Sequence, residues 1–189
     1  NMLSEKYNVE IITLYKMNNT IPFKLNKNVK VIYLSEVKPN KEEFKKYLKE
    51  KDLINTFKEG IKAIKILYLK KQLTVEYIYN SDSKIIISTR LYFTKLLNKY
   101  KNPEAITIAE EHVYHHESKK YFRKLDKALK NIDYLLPASK YLTIDYKKKL
   151  KTNTTIDYIP LTINYFPEKI SKLEKNNITD KIAEITIDL

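Results

Sequence analysis

Apolar residues along the chain follow two alternating spacings. Short runs rich in β-branched residues recur, and several are apolar on both faces, as expected for parallel strands covered by helices on both faces. The runs that predict strands are Val9–Tyr15, Val29–Leu34, Lys84–Thr89, Glu104–Ala109, Ile132–Leu136 and Thr155–Ile159.

Between these runs the apolar positions recur at helical spacing. The predicted apolar helix faces lie within Phe44–Leu48, Ile54–Tyr68, Tyr121–Leu129 and Leu142–Leu150. Ser139 follows a strand and Pro137, which predicts an N-cap rather than a nucleophile, since no G-x-S-x-G motif surrounds it. Strands alternating with helices predict an α/β fold, a single Rossmann-like domain whose mostly parallel sheet has helices on both faces.

The regular pattern fades near the carboxyl end of the chain. We expect one Rossmann-like domain over residues 1–163 and a linker or packed tail over residues 164–189. The chain lacks cysteine, and no apolar run approaches the ~18 residues of a membrane span, so we expect a cytoplasmic protein.

The charge of the chain is strongly basic. Lys and Arg number 36 against 23 Asp and Glu, which gives a formal net charge of +13. Such a field attracts phosphates, nucleic acid or acidic lipid. A general bias toward Lys, Asn, Ile and Tyr explains the charge equally well, so it does not by itself identify a partner.

Candidate chemistry lies where predicted strands end, because ligands of open parallel sheets bind beyond the carboxyl ends of the strands. The densest group is EEHVYHH, Glu110–His116, which holds all three histidines of the chain. His112 or Glu111 could hydrogen-bond a sugar hydroxyl or stabilise a leaving phosphate. A solvated loop is the open alternative. A metal site is disfavoured because the adjacent His115 and His116 cannot both face one ion from regular backbone.

Two further features limit the chemistry. Arg90 at a strand end suits a phosphate or carboxylate, although an ion pair with a neighbouring Glu is equally consistent with the sequence. The lone glycine, Gly60, falls within a helical pattern, so the sequence contains neither a P-loop nor a dinucleotide-binding glycine motif.

Five segments in order resemble a known family: YNVEIITLYK, KIIISTRLYFTKLL, ITIAEEHVYHH, NIDYLLPASKYLTIDYKKKL and DYIPLTI. They resemble the amino-terminal domain of family-4 glycosyltransferases of the GT-B type, especially the bacterial enzymes that build cell-surface glycans. The resemblance extends from Tyr7 to Ile163. It implies retaining transfer of a sugar from a nucleotide donor to an acceptor held by this domain, without a required metal or a covalently bound cofactor.

The resemblance also implies roles for particular residues. His112 would lie near the donor sugar as the catalytic residue. The implied substrate-binding residues are Arg90, Glu110, Glu111, Ser139 and Lys140. Acceptors of such enzymes include surface glycans, lipid-linked sugars and polyphosphates, so contact with the anionic inner face of the membrane is expected, through basic stretches at Lys119–Lys130 and Lys147–Lys151.

The chain departs from the family in two large ways. The family's first strand and its glycine-rich loop would precede Met2, and the donor-binding domain with its E-x7-E motif would follow the linker. Glu42 and Glu50 have that spacing by chance, within a charged helix. We therefore expect the chain to be inactive in transfer by itself.

Two other functions stay open. The first is a non-catalytic module of the same fold that binds glycans or lipid phosphates. The second is a basic nucleic-acid-binding domain, which is disfavoured because most of the 16 tyrosines fall on predicted core positions.

Overall fold

The computed structural model describes residues 2–16, 24–116 and 118–159. Its strands are β1 (Val9–Tyr15), β2 (Val29–Ser35), β3 (Ile85–Ser88), β4 (Ile106–Glu111), β5 (Tyr134–Pro137) and β6 (Thr155–Ile156). Its α-helices are α1 (Lys41–Lys49), α2 (Leu53–Asn80), α3 (Leu91–Tyr100), α4 (Lys119–Leu129) and α5 (Lys140–Lys149). A 3-10 turn at Met2–Glu5 precedes β1. The domain boundary expected at residue 163 and the tail at 164–189 lie outside the described residues.

All pairs of neighbouring strands are parallel, which confirms the α/β, Rossmann-like fold class. The strands form two sheets instead of a single one, with β1 beside β2 in the first and the order β3-β4-β5-β6 in the second. Within the part of the chain that the structure describes, β1 pairs only with β2, and β3 pairs only with β4. Each sheet therefore keeps an open edge, on β1 and on β3.

The main core lies between the second sheet and helices α3, α4 and α5. Ala109 of β4 and Leu135 of β5 are directly opposite in register and fully buried, and they pack with Leu97, Leu125 and Leu129 from the helices. The residues that alternate with them on the other face of the sheet are Ile85, Ile87, Ile106 and Tyr134, between 42% and 47% exposed. Among the described residues, these three helices thus cover one face of the second sheet.

Helix α3 is not predicted by the apolar spacing. The reason is a polar residue on its buried side: Thr94 is 1% exposed, and its hydroxyl lies 3.0 Å from the Ser88 hydroxyl and 3.1 Å from the Arg90 carbonyl oxygen. Those hydrogen bonds let a threonine occupy a core position that an apolar periodicity would leave unrecognised.

Helix α2 is longer than its predicted apolar stripe and packs differently. It has 28 residues and begins at the N-cap Asp52, whose side chain accepts from the Asn55 amide at 3.0 Å. Its buried residues are Ile66, Thr74 and Ile78. The stripe from Ile54 to Tyr68, which helical spacing predicts as a packing face, is mostly exposed.

The packing of α4 generates a test of the core. Replacing Leu125, which is fully buried, by Ala should lower the free energy of unfolding by about 2–5 kcal/mol, because the core loses buried methyl groups and gains a cavity. Ile144→Ala on the exposed side of α5 is the matched control and should change it by less than about 1 kcal/mol. Urea unfolding followed by circular dichroism measures both variants, and equal losses would contradict this description of the core.

Candidate functional site

The carboxyl ends of β3, β4 and β5 lie together at one end of the second sheet, because the strands are parallel neighbours. We call this end of the sheet the carboxyl edge. The chain continues from these ends into the first turn of α3, residues 112–116 and the first turn of α5. The structure therefore brings all the predicted site residues to this edge: Arg90, Glu110, Glu111, His112, Ser139 and Lys140.

Glu111 is turned into the protein. Its carboxylate is buried and accepts a hydrogen bond from the Tyr121 hydroxyl at 2.6 Å, while the other oxygen lies 3.1 Å from Nε2 of His115. The ring of His115 stacks on the ring of Tyr121, with centroids 3.4 Å apart. A buried carboxylate needs such partners. Both oxygens of Glu111 are therefore engaged within the protein, and they hold the loop after β4 against α4.

Glu110 and His112 form an exposed pair beside that buried group. Nε2 of His112 lies 3.2 Å from a carboxylate oxygen of Glu110, and the side chains are 44% and 31% exposed. Side chains alternate along extended backbone, so Glu110 and Glu111 point to opposite sides of β4. A carboxylate that orients an imidazole at a solvent-facing edge is an arrangement that supports proton transfer or binding of an anion.

Ser139 caps α5, as its sequence context predicts. Its hydroxyl accepts from the Leu142 amide at 3.2 Å, and its carbonyl oxygen accepts from the Thr143 hydroxyl at 2.9 Å. The following residue, Lys140, is exposed in the first turn of the helix. The Ser139 hydroxyl thus has a structural partner, whereas the ammonium group of Lys140 faces solvent.

Arg90 occupies the N-cap position of α3. Its carbonyl oxygen accepts from the amides of Phe93 at 2.9 Å and Thr94 at 3.0 Å, and its side chain is exposed. No carboxylate forms an ion pair with the Arg90 guanidinium within residues 2–16, 24–116 and 118–159. This guanidinium adds positive charge to the edge of the sheet.

Aromatic rings at this edge were not predicted as part of the site. The ring of Tyr114 lies 5.1 Å from that of His116 and 6.5 Å from that of Tyr141, centroid to centroid. Tyr141 is 68% exposed. Tyr114 belongs to EEHVYHH, so the sequence contained a signal for it, whereas Tyr141 joins it only because α5 starts beside the loop after β4. Aromatic rings next to a few polar groups are typical of small-ligand sites.

The end of β1 approaches the same region from the first sheet. Burial raises the pKa of the Tyr15 phenol, and the neighbouring Tyr92 phenol in the first turn of α3 raises it further. Nζ of Lys70, on α2, lies 4.2 Å from the centre of the Tyr92 ring. Tyr15 at the end of β1 is therefore within electrostatic range of Tyr92, two residues after Arg90.

Two open cavities lie elsewhere in the fold, one along β2 and the end of α2, and the other at the amino-terminal ends of β4, β5 and β6. One of about 460 Å³ is lined by Glu10, Tyr77 and Asp82, and the other of about 530 Å³ by Asp133 and Asn153. The Glu10 carboxylate accepts from the Tyr77 hydroxyl at 2.8 Å and from Nζ of Lys30 at 2.9 Å. The side chains of Glu10, Tyr77 and Asp133 have partners within the protein. We therefore place the candidate site at the carboxyl edge, where exposed ionic and aromatic groups converge.

No metal-binding cluster is present in the described part of the chain: three or more His, Asp or Glu side chains nowhere come together there as possible ligands. The imidazole of His112 pairs with Glu110, and that of His115 with Glu111.

Comparisons of this chain with models of protein families, with curated proteins and with solved structures found no match. The chemistry of the carboxyl edge and the order of the strands are therefore the structural observations on which a function can be proposed.

The Glu111 network predicts a dependence of stability on alkaline pH. Burial, followed by the hydrogen bond to Glu111, raises the pKa of Tyr121 above its usual value of 10.0. A tyrosine with a raised pKa stays neutral in the folded protein while it ionises in the unfolded chain, so stability is full below about pH 10 and falls as pH rises further.

Tyr121→Phe should therefore lower the free energy of unfolding at neutral pH by about 1–3 kcal/mol, because the buried carboxylate loses a donor. The variant should also show a shallower loss of stability above about pH 10. Tyr141→Phe, at an exposed position, is the control and should match the wild type. Urea unfolding at a series of pH values makes the measurement, and an unchanged alkaline slope in Tyr121→Phe would count against the network.

Proposed function

We propose that this chain is the acceptor-side half of a retaining glycosyltransferase of the GT-B type. In this proposal the whole enzyme moves a sugar from a nucleotide donor to a surface-glycan, lipid-linked or polyphosphate acceptor, at the cytoplasmic face of the membrane. The observation that carries the proposal is the Glu110–His112 pair, at the carboxyl edge of a parallel sheet with Arg90 and Lys140 on the flanking strand ends.

The order of the strands supports the same proposal. In a doubly wound sheet the order is 3-2-1-4-5-6, so the first strand lies between the second and the fourth. The order β2-β1 in one sheet and β3-β4-β5-β6 in the other is this order with the first strand left out and one further strand, β6, added at the far edge. The resemblance expects that strand, with its glycine-rich loop, ahead of Met2. The open edges of β1 and β3 are the places where it would pair.

Each edge residue has a role in the proposed mechanism. His112, oriented by Glu110, stabilises charge that develops on the leaving phosphate of the donor. Arg90 and Lys140 attract the phosphates of donor or acceptor. Glu111 acts indirectly, since it fixes the loop that carries His112. The nucleotide itself is bound by a donor domain, and no metal or other cofactor takes part.

The exposed rings give the acceptor a second kind of contact. Tyr114 and Tyr141 offer apolar surface next to the ionic pair, and the apolar faces of sugar rings pack on such surfaces. Ser139 shapes this wall of the site, because it caps the helix that presents Lys140 and Tyr141.

The proposal is tested in the polypeptide encoded by the complete reading frame. Transfer from a panel of radiolabelled nucleotide sugars to bacterial membrane extracts is measured for the wild type, His112→Ala and Glu110→Gln. We expect His112→Ala to lower kcat by about 10²–10⁴-fold and Glu110→Gln by a smaller factor, because the imidazole remains but loses its orientation. Glu104→Gln, the same chemical change at an exposed position near the opposite end of β4, is the matched control and should keep its activity.

Full activity in His112→Ala would remove this residue from the mechanism. A reading frame that encodes no donor domain, together with glycan binding and no transfer, would replace the enzyme with a non-catalytic binding module. Salt-dependent binding of single-stranded DNA without glycan binding would favour the nucleic-acid alternative.

A further inference from the structure

The amino-terminal half of α2 exposes a continuous apolar surface. Six of its side chains are between 62% and 78% exposed: Leu53, Ile54, Phe57, Ile64, Leu67 and Tyr68. We call this surface the α2 stripe. Scattered exposed apolar residues are ordinary. A contiguous group on one helix face is typical of a surface that binds a membrane or another protein.

Most of the α2 stripe points away from the residues that anchor the helix. At 3.6 residues per turn its members fall within roughly 140° of the circumference and extend over about 22 Å of the helix axis. The opposite side holds Ile66, which is buried, and Glu59, whose carbonyl oxygen accepts from the Asn40 side chain at 2.8 Å. α1 packs beside the stripe, because a Cβ at Gly60 would lie 3.7 Å from the Phe44 ring, so the stripe is open between α1 and its opposite margin.

Lysines border the stripe. Lys58, Lys62 and Lys65 follow one another at helical spacing along one margin, and all three are exposed. The neighbouring acidic residue, Glu59, faces the packed side, where it interacts with Asn40, and one of its carboxylate oxygens lies 3.6 Å from Nζ of Lys62. The stripe therefore combines apolar side chains with a positive margin, in a chain of net charge +13.

This combination fits an anionic lipid surface better than a second copy of the chain. A helix that lies in the membrane interface buries an apolar face among acyl chains and places its lysines among anionic headgroups. A symmetric antiparallel dimer through the same stripe would bring two lysine margins together, and like charges at an interface oppose association. Charge complementarity thus selects the lipid surface.

The basic stretch expected at Lys119–Lys130 lacks this combination. In α4 the large apolar side chains Phe122, Leu125 and Leu129 are buried in the core, so the helix offers lysines to solvent without an apolar surface beside them. Helix α4 can attract an anionic surface through its lysines, but it has few exposed apolar side chains to insert into a bilayer.

We propose that the α2 stripe docks this protein on anionic lipid bilayers, with α2 lying in the plane of the interface. In the described part of the chain no helix is both long and apolar enough to cross a membrane, so α2 rests on the bilayer. The stripe is separate from the carboxyl edge of the second sheet, and its docking does not depend on sugar transfer.

Binding is measured by flotation of the full chain with vesicles of phosphatidylcholine, alone or mixed with phosphatidylglycerol. We expect clear binding to the mixed vesicles and much weaker binding to the neutral ones. The triple variant Lys58→Gln, Lys62→Gln, Lys65→Gln should bind the mixed vesicles about fivefold more weakly per lysine at low salt. The control variant Lys120→Gln, Lys124→Gln on α4 should lose far less.

The apolar part of the stripe is tested with Phe57→Ser, Ile64→Ser. Both positions are exposed, so the melting temperature should be unchanged while the vesicle partition coefficient falls by at least about tenfold. Ile144→Ser, an exposed apolar position on α5, is the matched control and should bind as the wild type does.

A fluorescent probe reports insertion directly, because the chain contains no tryptophan. The emission of Phe57→Trp should shift to the blue on mixed vesicles, whereas that of Lys120→Trp should not. Equal binding to neutral and mixed vesicles, or unchanged emission from Phe57→Trp, would overturn the proposal. A third outcome would also overturn it: the wild type forms a dimer and does not bind vesicles, and the double variant Phe57→Ser, Ile64→Ser is monomeric. The stripe would then be covered by a second copy of the chain.

Discussion

Parallel pairing of β3, β4, β5 and β6 is the constraint on which the described structure depends. Parallel neighbours cannot be joined by tight hairpins, so each connection must cross over the sheet, and here the crossovers contain α3, α4 and α5. The helices bury one face of the sheet around Ala109 and Leu135. The same pairing brings all the strand ends to one edge. Core and candidate site are thus two consequences of one hydrogen-bonding pattern.

At that edge the two adjacent glutamates have different physical roles because a strand alternates its side chains. Glu111 enters the core side, where burial demands partners, and Tyr121 and His115 supply them. Glu110 faces the other side, where its carboxylate meets His112 near solvent. The buried glutamate therefore holds the loop, and the exposed one is available for chemistry. The proposed transfer mechanism uses both glutamates. Glu111 holds the loop in place, and the Glu110–His112 pair is exposed to a substrate.

Two apolar surfaces remain uncovered by the described residues. One is the second face of the sheet at Ile85, Ile87 and Ile106, beside the open edge of β3, where a doubly wound sheet would continue. The other is the α2 stripe, bordered by lysines. They differ in charge and in setting. The sheet face lies beside an edge whose backbone groups can pair with a further strand of the fold. The stripe lies on a helix whose backbone is already hydrogen-bonded, and it suits an interface with lipid.

The sequence by itself determined the local elements, since strand and helix spacing are properties of neighbouring residues. β1 matches its predicted run, the other strands agree within two or three residues, and Ser139 caps α5 as expected. The sequence also predicted which residues lie at the carboxyl edge, because the carboxyl ends of neighbouring parallel strands lie at the same end of a sheet. Only the tertiary structure decided that the predicted sheet divides in two, that Thr94 is a core residue of α3, and that Glu111 is buried while Glu110 is not. It also decided that the apolar spacing of Ile54–Tyr68 faces outward. Burial depends on what lies opposite a side chain, and that partner is distant in sequence, so no local pattern contains it.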